Sequence, residues 1–382
     1  MKFVLIPDSF KGTLSSGQIC RIMDERIKTH FPGSQTVSIP VADGGEGSVD
    51  AFVTAVGGIK EYVTVKNPYF EDMQSYYGLI DGGRTAVIEM ASCAGLPLVE
   101  DRKNPELTTT YGVGQLILAA AQRGVKKIIV GLGGSSTNDG GCGAAAAAGV
   151  RFYDKEGKEF IPAGGTTAEI ARIDLSGRSA LLEQVEIITM CDIDNPMYGP
   201  TGASFIFGPQ KGADKDMVLR LDAGIQNLGK VIAQTTGTDI SQVPGTGAAG
   251  AMGAGMIAFF GSRLQMGIET VLDTVRFDEI IGDADYILTG EGKLDSQSLR
   301  GKVVIGIANR AKKQEKPVIA VVGGAEDEEI GTAYDMGVTA VFPINRLPQD
   351  FAVSRHRSQE NLAYTVDNMI RLIRAGQGED KL

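Results

Sequence analysis

The sequence predicts an α/β protein of two domains: a doubly wound parallel sheet built from both chain ends, and an inserted α/β domain with a mixed sheet. Three observations predict it. Short β-type runs alternate with helical patterns, as parallel strands joined by crossover helices require. That alternation is cleanest at the two ends of the chain, and the middle has a different texture. Glycine clusters recur where the strand-like runs stop, the edge at which open α/β sheets bind ligands.

Phe3-Val4-Leu5-Ile6 is the first strand. A helix over 15–29 follows, opened by Ser15 with Gln18 at capping-box spacing and carrying Ile19, Ile22, Met23 and Ile27 on one face. The run 36–41 is the next strand, and Val49, Phe52, Val53 and Val56 line a helix that Gly57-Gly58 stops. At the other end 286–288, Val318–Val322 and 338–342 are strands. Helices over 297–313, 326–336 and 359–374 lie between and after them. The middle contributes strands Thr85–Glu89, 128–131 and Glu186–Met190. Its helices are 111–123, the alanine run 144–148 and a long one near 213–235. The expected division is 1–67 plus 276–382 for the terminal domain and 68–275 for the insert.

Composition excludes several chemistries. The net charge is −10 over 382 residues, and no basic stripe offsets it, which disfavours nucleic acid and anionic membrane as partners. No apolar run reaches the roughly 18 residues of a membrane span. Cys20, Cys93, Cys142 and Cys191 are scattered without a C-x-x-C, so a reducing, cytoplasmic setting is expected. Only His30 and His356 are available, which leaves almost no material for Ser-His-Asp, H-E-x-x-H or histidine-base schemes. No Gly-Lys is followed by Ser or Thr, so a Walker loop is absent, and so are the H-R-D and D-F-G loops. Glycine is in excess, at 51 residues.

That glycine is concentrated in loops that also carry acids or lysines. Pro7-Asp8-Ser9-Phe10-Lys11-Gly12 leaves the first strand, with Asp8 suited to a metal or substrate hydroxyl and Lys11 to a phosphate or carboxylate. Ala42-Asp43-Gly44-Gly45-Glu46-Gly47-Ser48 opens a helix with backbone N–H groups free to approach an anion, though Asp43 also suits a helix cap. The run Gly133, Gly134, Ser135, Ser136, Thr137, Asn138, Asp139 offers N–H and O–H donors to phosphate or carboxylate oxygens. Asp192 emerges at the tip of strand Glu186–Met190 as a candidate general base or metal ligand. Lys211, in Phe207-Gly208-Pro209-Gln210-Lys211-Gly212, suits a transferring phosphoryl group.

Gly245-Thr246-Gly247-Ala248-Ala249-Gly250 is formally G-x-G-x-x-G, but no hydrophobic strand precedes it. It reads better as a loop over nucleotide phosphates than as a dinucleotide fingerprint. Glu291 and Asp295, in Thr289-Gly290-Glu291-Gly292-Lys293-Leu294-Asp295, suit Mg²⁺.

Taken in order, these loops resemble the class I glycerate kinases from residue 3 to beyond 320, with Ala251 in place of an expected glycine and Met197 in place of leucine. The resemblance implies ATP-dependent phosphorylation of D-glycerate, with 2-phosphoglycerate as product. It also implies a flavodoxin-like domain from both termini, an inserted α/β domain and a site between them. Phosphoryl transfer needs chiefly positioning and charge neutralisation. On this reading Asp192 accepts the hydroxyl proton, with Asp43 the runner-up, and Lys11 and Lys211 steady phosphate or carboxylate. Asp8, Glu291 and Asp295 contact Mg²⁺, and the enzyme acts as a monomer or homodimer. Two rivals stand beside it, an NAD-dependent hydroxy-acid dehydrogenase and a non-catalytic sensor of small acids.

Overall fold

The computed structural model describes residues 1–41, 44–347 and 349–377. In chain order its strands are β1 (Lys2–Leu5), β2 (Gln35–Ser38), β3 (Gly58–Lys66), β4 (Asp72–Ile80), β5 (Thr85–Glu89), β6 (Lys127–Gly131) and β7 (Arg151–Tyr153). There follow β8 (Glu159–Phe160), β9 (Arg172–Asp174), β10 (Glu186–Met190), β11 (Arg263–Gln265), β12 (Tyr286–Thr289), β13 (Val318–Val322) and β14 (Val338–Pro343). The chain divides into two compact units, Met1–Ala42 with Met266–Leu382, and Asp43–Gln265.

The first unit holds one sheet in the order β14-β13-β12-β1-β2, every pair parallel. Counted within the unit and read from β2, this is 2-1-3-4-5, the flavodoxin order. β1 and β13 are buried on both faces, which is why they read as unbroken apolar runs. Phe3, Leu5, Leu288, Ile319 and Val321 share a core with Ile19, Met23 and Ile27 of helix Ser16–His30 and with Val366 and Ile370 of helix Ser358–Gly376. Helix Val303–Lys312 packs on β12, β13 and β14 through its own apolar residues, Val304 and Ile307 among those fully buried. Ser15 caps helix Ser16–His30 with the reciprocal Gln18 bond that the spacing predicts.

The order reverses between β1 and β12. That reversal is the topological switch point, where chains leaving two neighbouring strands diverge and open a crevice at their carboxyl ends. The backbone ladder continues past the strands, Ile6 N–H to Leu288 O and Asp8 N–H to Gly290 O, each at 2.8 Å. Asp8 and Glu291 are therefore carried side by side to this crevice.

The second unit is built on a mixed sheet in the order β11-β10-β6-β5-β4-β3. β5, β6, β10 and β11 are parallel, while β4 and β3 add antiparallel. Its core joins Ile88, Ile128 and Val130 to Val113, Leu116 and Ile117 of helix Tyr111–Gln122, and to Met252, Met256 and Phe259 of helix Ala248–Phe260. The alanine run forms helix Cys142–Ala147. It must be small because Gly114 of the neighbouring helix lies directly against the Ala144 carbonyl. A small antiparallel sheet, β8-β7-β9, completes the unit.

Two expectations are corrected. The sequence division at 67/68 and 275/276 falls instead at 42/43 and 265/266. Helix Ser48–Val56 packs on β4 and β5, and β3 pairs with β4 over nine residues, so both belong to the second sheet. Helix Gly267–Thr274 packs on Val303–Lys312 and belongs to the first unit. The β3–β4 hairpin itself was not expected. Among the described residues no helix is long and apolar enough to cross a membrane.

Candidate active site

In the first unit the chemistry-bearing groups lie at the switch point. Thr289 Oγ donates to Ile6 O at 3.0 Å and Ser16 Oγ to Pro7 O at 2.6 Å, which ties the strand tips down. Asp8 Oδ1 accepts the Ser9 N–H at 2.6 Å, so Ser9 serves to orient Asp8. Glu291 is only 8 % exposed, and its Oε1 is buried without a hydrogen-bond partner. Burial pushes its pKa up to about 7, and the nearby charges of Asp8 and Asp295 push the same way. Asp295 Oδ1 accepts from the N–H groups of Gln297 (2.9 Å) and Ser298 (3.3 Å), capping the short turn Ser298–Arg300. Lys11 is exposed.

Among the described residues no three His, Cys, Asp or Glu side chains converge closely enough to hold a metal by themselves. Asp295, expected with Asp8 and Glu291 as a metal contact, spends its Oδ1 on the turn Ser298–Arg300. Mg²⁺ rarely needs such a cage, since one or two carboxylates and substrate phosphates suffice. A buried carboxylate oxygen with no donor beside a second acid fits a cation, because burial without compensation costs free energy.

In the second unit the loop after β6 and the end of β10 at Met190 meet the Gly44–Gly47 segment. Gly133 N–H donates to Gly44 O at 3.0 Å, and a side chain on Gly133 would stand 2.5 Å from Gly45 Cα. Two glycine-rich segments thus stack backbone on backbone, which no larger residue permits. Glu46 is exposed at the tip of its loop. Asp43 lies outside the described residues. Glu89, at the end of β5 and 1 % exposed, accepts Ser48 N–H at 2.9 Å and Tyr76 O–H at 2.6 Å, so it fixes the start of helix Ser48–Val56. Sequence reasoning missed Glu89, although an acid ending an apolar strand was the very signal that singled out Asp192.

The loop from Gly133 to Asp139 is mostly buried behind an accessible tip, Gly133 and Gly134. Lys211, 1 % exposed, donates to Ser135 Oγ at 2.9 Å and to Thr137 O at 2.6 Å. Burial pushes its pKa down to about 7, against the pull of Asp139. Ser136 bonds Ala94 O through both its N–H and its hydroxyl. Asn138 Nδ2 donates to Ser204 Oγ, while Asn138 Oδ1 and Thr137 Oγ1 are buried without partners.

Asp139 was expected to meet a ligand and instead faces inward. It accepts the N–H groups of Thr110 (2.8 Å), Gly141 (3.1 Å) and Gly143 (3.1 Å), although burial holds its pKa above the usual carboxylate range. Lys211 and Asp139 therefore shape the loop from within.

Asp192 is half-buried beside Cys191, whose Sγ lies 3.5 Å from Ile193 O and whose pKa is pushed up to about 11 by burial. Gly245 and Gly247 also serve packing. Gly245 faces Cys191 Sγ, and Gly247 N–H donates to Asn195 O at 3.0 Å. No strand precedes them, so the frame of a dinucleotide fingerprint is missing, as expected. Beyond Gly247 the chain runs left-handed through Ala249 (φ 55°), Gly250 (φ 68°) and Ala251 (φ 64°). The position where a glycine was expected is thus one that asks for it.

The chain's likenesses agree with this layout. The model of the glycerate kinase family matches residues 3–374. A glycerate 2-kinase of Escherichia coli (strain K12) is 43% identical over 345 residues, 90% of each chain. A glycerate kinase of Bacillus cereus is 42% identical over 370 residues, 97% of each. A crystal structure from Salmonella typhimurium LT2 superposes with a TM-score of 0.87 at 38% identity, covering 99% of both chains. With a whole-chain family match and relatives of this closeness, the chain belongs to the glycerate kinase family, a family of phosphotransferases.

Proposed function

We propose that the enzyme transfers the γ-phosphoryl group of ATP to the 2-hydroxyl of D-glycerate, giving 2-phosphoglycerate and ADP. The hydroxyl oxygen forms the new bond to phosphorus, the bond to the β-phosphate oxygen breaks, and the hydroxyl proton passes to Asp192. The observation that carries this reading is Glu291, whose buried oxygen lacks a partner at a switch point and beside Asp8. Such a pair suits the Mg²⁺ that accompanies a nucleotide, and Mg²⁺ when bound supplies neutralisation of phosphate charge.

The residues of the chain then act by position and electrostatics. Lys11, exposed at the β1 tip, brings an ammonium to an anionic group. The N–H of Gly134, at the accessible tip of a loop rigid behind it, offers a donor to phosphate or carboxylate oxygens. Ser9 orients Asp8. The relative named a glycerate 2-kinase supports the choice of hydroxyl. The four cysteines are all free and buried, which suits the cytoplasm, where ATP is also made.

The test is ADP release from ATP, Mg²⁺ and D-glycerate, with the product passed to enolase. A 2-phosphate is consumed directly, whereas a 3-phosphate waits for added phosphoglycerate mutase. Release of ADP that depends on mutase downstream overturns the choice of hydroxyl, and no release across a panel of small hydroxy acids overturns the kinase reading.

A further inference from the structure

The carboxyl end of β14 carries a cavity of about 270 Å³ that contains none of the residues assigned above to the transfer reaction, lined by Asn345, Arg346, Leu347, Gln349, Ser354, Arg357 and Asn361. Apart from Leu347 and the carbon stems of its longer side chains, the lining offers amide, hydroxyl and guanidinium groups, in a chain of net charge −10. Among the described residues no carboxylate lies within ion-pair distance of Arg346. Its guanidinium stacks on the Tyr364 ring, 3.9 Å from the centroid, and Nη2 reaches Asn361 Oδ1 at 3.5 Å. Asn361 is itself buried and donates to Asn345 Oδ1 at 3.5 Å. Arg357 shares its charge with Glu360 at 3.2 Å, so two guanidinium groups face one carboxylate and leave an excess positive charge.

We infer that this cavity binds a small oxyanion, a phosphate or a carboxylate, at a site separate from Asp8 and Glu291. A planar guanidinium held by stacking has already lost the rotamer freedom that an anion would otherwise have to freeze, and its fork matches two oxygens at once. The volume admits a phosphate or a small organic acid, and is at the low end for anything the size of a nucleotide. The place is right as well, since the carboxyl edge of a parallel sheet is where such folds bind ligands. Asn345 Nδ2 donates to Gly323 O at 2.7 Å and Gly323 N–H to Glu291 O at 3.0 Å, so a filled cavity is tied through two bonds to the Glu291 loop.

The experiment is calorimetric titration of the full chain with inorganic phosphate and, separately, with acetate. The wild type, R346A, R346K and D8N are compared. One saturable site is expected in the wild type, weakened about tenfold or more by R346A and less by R346K, which keeps the charge and loses the fork. D8N is expected to bind as the wild type does. The stronger of the two probes identifies the group recognised.

Three outcomes overturn the inference: no saturable binding, equal binding by wild type and R346A at matched melting temperatures, or loss of binding in D8N. A raised KM for ATP in R346A also overturns it, because the cavity then belongs to the transfer site. The titration needs no turnover, so it fails or succeeds independently of the proposed reaction.

Discussion

The ammonium of Lys211 donates to the carbonyl oxygen of Thr137 at 2.6 Å, joining a buried side chain to a loop 74 residues away in sequence. A lysine in that position holds the loop by its donors and is penalised for its charge. Its folded pKa of about 7 lies below the ordinary value of about 10.4. Between those values the unfolded chain holds a proton that the folded chain lacks, so this group's contribution to stability rises as pH climbs from about 7 toward about 10.

Replacing Lys211 by Met removes that rise. The difference in melting temperature between wild type and K211M is therefore expected to grow from pH 7 to pH 10. A difference that does not change with pH means the amine is never neutral in the fold.

Glu291 gives the opposite slope. Its folded pKa, about 7, lies above the ordinary value of about 4.3, so the folded state holds the extra proton and stability from this group falls as pH rises between the two. In metal-free buffer E291Q is expected to exceed the wild type by about 2 kcal/mol at pH 8, and by little at pH 4.5. On the proposed reaction, turnover with glycerate should fall by about 100-fold or more, since Glu291 would face the nucleotide's Mg²⁺. Urea unfolding at the two pH values, with EDTA present, decides the first part.

The parallel strands were legible apart from the short β11, and the antiparallel ones, β3 and β4 among them, were missed. β1 and β13 show as continuous Phe-Val-Leu and Val-Ile-Ala-Val-Val runs. β3 places Lys60, Tyr62 and Thr64 outside the core, and Gly57-Gly58 before it reads as an ending. The loops announced themselves by glycine and acid. Glu89 did not, nor did the inward role of Lys211, because both act on atoms that sequence distance conceals.

Glu89 is expected to matter for stability more than its single charge suggests. E89A leaves the Tyr76 hydroxyl without its acceptor and the Ser48 N–H with only its 3.2 Å bond to Gly45 O, at a cost of about 2 kcal/mol. Chemical denaturation of E89A measures this, and a loss under about 1 kcal/mol shows that water replaces the carboxylate.

Asp192→Asn tests the base. The substitution keeps shape and removes proton affinity, so kcat is expected to fall by about 10²- to 10⁴-fold with the KM for ATP little changed. Near-normal kcat assigns the proton elsewhere, with Asp43 next to be replaced.

Ala251 carries a φ of 64° at full burial. Glycine there relieves about 1–2 kcal/mol of left-handed strain, and loses a buried methyl and unfolded-state rigidity worth about the same. A251G is expected within about 0.5 kcal/mol of wild type. A254G, at a helical position of the same helix, should lose about 1–2 kcal/mol. Equal losses at both sites contradict the left-handed backbone.

The sheet order of the first unit also has a consequence for synthesis. β1 is an inner strand of that sheet, yet its partner β12 follows it by some 283 residues. At roughly 5–20 residues per second a ribosome takes on the order of tens of seconds to make the stretch between them. Asp43–Gln265 can condense in that interval, since its sheet closes within itself. Its condensation shortens the loop that β1 must close, and so reduces the entropy of the final step. The first strand to be translated belongs to the last sheet to be completed.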